Sequence, residues 1–177
     1  SRNLSKAGIL LAHREAEDNL YDWMFHSTAP SSIETVLHMA TAQRARPKIA
    51  PAIERLGSQR LWDMFAPPNR FGADSDWFTV ALDFMGRDKL ESFIRQHVMR
   101  GLDECFEHMK HEQNALAIGP EPFPQFIAWA VSDFRAEEIK GGALGALAPL
   151  EGYAIRQHDS GVIQVLRKID VMPFTAD

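Results

Sequence analysis

Apolar residues recur along most of this chain at intervals of three and four, the spacing that lines one face of an α-helix. The clearest run is Leu90, Phe93, Ile94, Val98, Leu102, Cys105, Phe106 and Met109. At 100° per residue these positions fall on one arc and predict an amphipathic helix of about seven turns, starting at Asp88 and ending at Gly119-Pro120 at the latest. A first helix is read from Leu4 to Phe25, because Leu20, Trp23, Met24 and Phe25 alternate with Glu15, Glu17, Asp18 and Asp22 as on a surface helix. Ser31 stands three residues before Glu34 and opens Ile33, Val36, Leu37 and Ala40, a capping box that predicts a second helix.

Turn residues divide the remainder. Pro47 closes the second helix, Lys48 to Leu56 is expected as a short helix closed by Gly57, and Ser58 opens another through Trp62, Met64 and Phe65 that Pro67-Pro68 ends. Asp74-Ser75-Asp76 precedes a helix from Trp77 to Met85, which Gly86 stops. After the Pro-rich stretch Gly119 to Pro124, the apolar positions Phe126, Ile127, Trp129, Ala130 and Phe134 mark a helix from Gln125 to Ile139. The period changes after Pro149. Ile163, Val165, Ile169 and Val171 alternate with polar residues, and His158-Asp159-Ser160-Gly161 makes a turn, so Tyr153 to Gln157 and Val162 to Val171 are expected to pair as a hairpin. The fold expected from these patterns is mainly α, a compact bundle of about six or seven helices with a small C-terminal β-hairpin. Residues 1–177 are expected to form a single helical domain, with 119–177 as a C-terminal subregion after the Pro-rich linker.

Composition narrows the classes. The chain has 177 residues, 45% of them hydrophobic, with a formal charge of -5. A chain of this length buries about 70% of its unfolded surface and needs no disulfide or structural metal to fold. Its one Cys and the lack of a secretory leader pattern lead to the expectation of a cytoplasmic protein. No run of about 18 apolar residues suggests a membrane span. Phosphate-loop and nucleophile-elbow motifs are absent from the sequence, and Cys105 sits in the middle of the long helix's apolar arc, where a small hydrophobe packs.

Two clusters suggest chemistry. His97, Glu104, His108 and His111 are spaced by seven, four and three residues on the predicted long helix. Imidazole and carboxylate donors on one stripe are how helical bundles build metal sites, and His13 with Glu17, or His38, would supply ligands from other helices. No complete zinc or di-iron motif accompanies them, so no cofactor is expected and a metal stays an alternative. The second cluster is aromatic and basic: Trp62, Met64, Phe65 and Phe71 around Pro67-Pro68, together with Arg44, Arg46 and Lys48. Aromatic, Met and Arg side chains enrich interface cores, whereas most of Phe78, Phe84, Phe93, Phe106, Phe126, Trp129 and Phe134 are read as the core. Residues 41–60 hold five cations against Glu54 alone, while residues 103–138 hold eight acids against Lys110 and Arg135.

Such opposed patches suit docking to another protein or self-association. The function expected from the sequence is therefore a non-enzymatic protein-binding module, such as an adaptor, inhibitor, chaperone-like factor or small subunit. A metal- or cofactor-binding enzyme is the alternative, and a nucleic-acid-binding regulator a second one. The acidic pI of about 5.8 argues against nucleic acid as the partner.

Overall fold

The computed structural model describes residues 4–66, 76–135 and 144–170. They form two compact units: the first comprises residues 4–58 and 101–120, the second 59–100 and 121–170 where described. The expected helical bundle is corrected, because the first unit is built on a three-stranded parallel sheet with Trp23–His26 (β1) in the middle, flanked by Lys48–Ile49 (β2) and Ala115–Ile118 (β3).

The chain enters through α1 (Lys6–Asp18), whose first turn is capped by the Ser5 hydroxyl accepting the Gly8 N–H at 3.1 Å. It ends there, earlier than expected, and Trp23–His26 forms β1. Met24, Phe25 and His26 are all buried, so β1 shows no alternation of buried and exposed positions, and over four residues such a pattern matches a helix turn as well as a strand. Helix α2 (Pro30–Ala42) follows, with Pro30 in its first turn; Ala29 is its N-cap and no side chain caps it, so Ser31 lies inside the helix and the expected capping box does not form, the Glu34 carboxylate accepting the Leu4 N–H instead. The short helix expected over Lys48 to Leu56 is instead β2 (Lys48–Ile49) followed by a single tight turn, Glu54–Leu56. Pro47 and Pro51 flank β2. The N–H groups of Lys48 and Ala50 point inward to the Asp22 and Met24 carbonyls at 2.9 and 3.1 Å, so the outer edge of β2 is short and proline-blunted.

The long amphipathic run is helical from α5 (Arg87–Phe93), through a π-turn at Ile94–Val98, to α6 (Met99–His108). It stops before Gly119, because Ala115–Ile118 forms β3 and pairs in parallel with β1 over its whole length. From Gly101 onward α6 belongs to the first unit, where the His108 ring packs on Trp23 and Phe25 at 5.4 and 5.8 Å. Leu102 and Cys105 are buried on the same stretch.

The second unit has an aromatic core. Helix α3 (Gln59–Phe65) buries Leu61 and Phe65, four residues apart on one face. Asp76 caps α4 (Trp77–Met85) by accepting the Thr79 N–H, and Gly86, at φ 76°, ends it. Helix α7 (Phe123–Val131) starts two residues ahead of the expected position and is shorter, because Asp133 and Phe134 turn into the left-handed region at φ 52° and 60°. The fully buried Phe65 ring meets Phe93, Phe123 and Phe126 at 5.8, 5.7 and 5.2 Å, and Phe126 in turn meets Phe78. The hairpin is present as β4 (Gly152–Gln157) and β5 (Ile163–Ile169), antiparallel, with a bulge at Ala154/Ile155.

Phe65→Ala removes the ring on which three others close. It is expected to destabilise the protein by about 3–5 kcal/mol, measured as a lowered urea midpoint with native helical content before the transition.

Candidate functional site

A parallel sheet in the order β2-β1-β3 has its switch point at the carboxyl ends of β1 and β3, since the chain leaves β1 for one neighbour and reaches the other later. In open α/β sheets that crevice is where ligands bind, against the N-terminus of the helix that follows. Here the chain itself fills it. The Thr28 N–H and hydroxyl both donate to the Gly57 carbonyl, at 3.3 and 3.2 Å, and the Ile53 N–H donates to the His26 carbonyl at 2.8 Å. Gly119 lies so close to this segment that a Cβ there would sit 2.3 Å from the Leu56 carbonyl oxygen.

Most donors at the start of α2 are also engaged. The Ser27 N–H bonds the Ile118 carbonyl at 2.9 Å, the Ala29 N–H bonds the Ser27 hydroxyl oxygen at 3.1 Å, and the Ser32 N–H turns back to the Ala29 carbonyl at 2.9 Å. Pro30 has no N–H to offer. The Ser27 hydroxyl donates to Ser32 Oγ at 2.9 Å and both side chains are buried. What resembles an anion cradle in topology is a closed joint in its hydrogen bonds.

The proposed metal ligands are not assembled. His97 packs on Phe93 at 5.3 Å in the second unit, His108 sits on Trp23 and Phe25 in the first, and His111 lies in the turn beyond α6. Glu104 pairs with Arg55 at 3.4 Å. His13 and His38 do meet, with ring centroids 5.5 Å apart between α1 and α2, while Glu17 is exposed. Among the described residues no group of three or more His, Cys, Asp or Glu side chains is placed to hold a metal ion. Cys105 is buried, and burial first, then the neighbouring Glu104 carboxylate, pushes its thiol from 9.0 up to about 12, the reverse of an activated nucleophile.

The aromatic and basic residues are distributed as follows. Phe65 is a core ring. Trp62 and Met64 lie two positions apart on α3, on opposite flanks of its buried stripe; Met64 is 44% exposed. Phe71 lies outside the described residues. Arg44 and Arg46 are exposed between α2 and β2, and the exposed Lys48 ammonium stands over the Trp23 ring at 5.2 Å. The half-buried Trp62 meets the half-buried Trp77 edge to face, 4.6 Å between centroids. Phe84 is expected in the core from its sequence position but is 52% exposed. Seven residues separate it from Trp77, two turns along one side of α4, or about 10 Å. Trp77 and Phe84 carry the surface that sequence reasoning missed. The signal was their seven-residue spacing.

No protein family matches the chain, and no curated protein is similar enough to count as a relative. No helix among the described residues is long and apolar enough to cross a membrane.

Two tests follow from this geometry. Gly119→Ala is expected to cost about 1–3 kcal/mol by driving the Leu56 backbone out of the sheet end, read as a lowered denaturant midpoint. Alkaline stability is the other. The folded chain keeps the Cys105 proton up to about 12, whereas an exposed thiol loses it near 9.0; Tyr153, raised by burial and then by Glu121, Glu151 and Asp76, likewise titrates at about 12 instead of 10.0. The unfolded chain then binds fewer protons, so stability should fall as pH rises from about 9 towards 12, and Cys105→Ser should flatten the first part of that fall.

Proposed function

We propose that this chain is a protein-binding module and that its second unit takes a partner on the stripe formed by Trp62, Trp77 and Phe84. The observation that carries the reading is the exposure of these rings: Trp62 and Trp77 are only half buried against each other, and Phe84 is 52% exposed, in a unit that buries Phe65, Phe93, Phe123 and Phe126. Rigid aromatic rings contribute large contact area at low conformational cost, which is why they anchor interfaces. The self-satisfied sheet end and the dispersed histidines favour binding over a small-molecule or metal reaction. The partner is a protein surface with an apolar cleft able to receive a ring from α4. The basic loop Arg44 to Lys48 belongs to the other unit.

Phe84→Ser and Trp62→Ala separate the outcomes. Phe84→Ser is expected to leave the urea midpoint within about 0.5 kcal/mol of wild type, because an exposed ring contributes little to the fold. In quantitative affinity capture from cells, a partner retained by the wild type should be lost from both variants. Identical capture by wild type and variants would overturn the reading, as would a loss of stability above about 2 kcal/mol in Phe84→Ser, which would make the ring core.

A further inference from the structure

The second unit also contains a cleft of about 310 Å³, lined by Val131 and Ser132 at the end of α7 and by Val162, Ile163, Gln164 and Val165 at the start of β5. Successive residues of a strand point to opposite faces, so a cleft touched by four in a row runs along the strand's edge. One edge of β5 is paired with β4, so the cleft follows the other, which is unpaired among the described residues.

The backbone groups on that edge can be assigned. The His158 N–H bonds the Val162 carbonyl at 2.8 Å, which makes His158 and Val162 a hydrogen-bonded pair. Antiparallel pairs alternate, so Arg156 and Gln164 form the next bonded pair, while Ile163 and Val165 turn their N–H and carbonyl groups away from β4 and towards the cleft. The wall is mixed, with Val131, Ile163 and Val165 beside the polar Ser132 and Gln164, and Val162, at its mouth, is 59% exposed. Arg156 and Arg167 on the outward side of the hairpin are exposed, and neither makes an ion pair among the described residues.

We propose that the edge of β5 is a strand-addition site that binds an extended segment of another protein, with aliphatic side chains turned into the cleft and carboxylates turned outward to Arg167 and Arg156. The free ladder groups of Ile163 and Val165 supply the main-chain bonds of such pairing, and the Val-lined wall and the two arginines select the side chains. The site is separate from the Trp62, Trp77 and Phe84 stripe and does not depend on it.

The test uses a fluorescein-labelled peptide of alternating valine and glutamate, the same composition arranged in blocks, and a valine-lysine counterpart. Wild-type chain should bind the alternating glutamate peptide saturably and the other two at least about tenfold more weakly, the worth of one hydrogen bond or charge contact. Ile163→Pro deletes an N–H that faces the cleft and not β4, so it should weaken binding about tenfold with the circular dichroism unchanged. Val162→Asp, at an exposed position, leaves the ladder intact and should weaken binding by repelling the glutamates. Arg167→Glu should reverse the preference towards the lysine peptide.

Equal binding of the alternating and block peptides would overturn the proposal. So would unaltered binding by Val162→Asp and Arg167→Glu, or absence of saturable binding by the wild type. A peptide-free dimer that Ile163→Pro dissociates would replace it with self-pairing of β5.

Discussion

Everything in the first unit depends on β1 having a parallel strand on each edge. A parallel neighbour cannot be reached by a tight turn; the chain must cross over a face of the sheet each time. The first crossover is α2, thirteen residues that pack on β1 and deliver the chain to β2. The second is far longer, since residues 59–100 build most of the other unit's helices before α6 returns the chain to β3. The same requirement explains the composition of the strands. With His108 covering the Trp23 and Phe25 side, and α2 also packed on the sheet, β1 has no solvated face and shows no alternation.

That is why the sheet was illegible in the sequence while much of the helical and hairpin structure was legible. Trp23 to Phe25 and Ala115 to Ile118 are short apolar runs beside genuine helices, and periodicity cannot distinguish so short a strand from one more helical turn. Local punctuation was readable wherever it acts locally: Asp76 caps α4, Gly86 ends it with a left-handed turn, and the His158 to Gly161 turn sets the hairpin. Pairing partners distant in sequence, such as Met24 with Leu116, leave no such mark.

The candidate surfaces divide along the same line. Trp62 and Phe65 are three residues apart and look equivalent in composition, yet Phe65 shares the buried face of α3 with Leu61 while Trp62 sits on its flank against Trp77. Phe84 falls in the apolar pattern of α4 and so reads as core; its exposure is decided by what α4 packs against, which no local pattern contains. The histidine spacing carried no chemistry: His97 lies in the π-turn, α6 ends at His108 before His111, and neighbours on one helix need ligands from other elements to enclose an ion.

Fold topology alone would also have misdirected the search for function. Strand order points to the carboxyl end of β1, yet Thr28, Ser27 and Ala29 already direct their N–H groups to Gly57, Ile118 and Ser27, and Gly119 lies against Leu56 without room for a methyl group. A site must have unsatisfied groups to offer a ligand, and here most of them are already taken internally. The strand edges differ in the same sense. β2 is two residues long between Pro47 and Pro51, a device that denies an incoming strand its main-chain partners. β5 is seven residues long, has no proline, and turns the ladder groups of Ile163 and Val165 towards a Val-lined cleft. One edge is guarded and the other is furnished with what pairing requires.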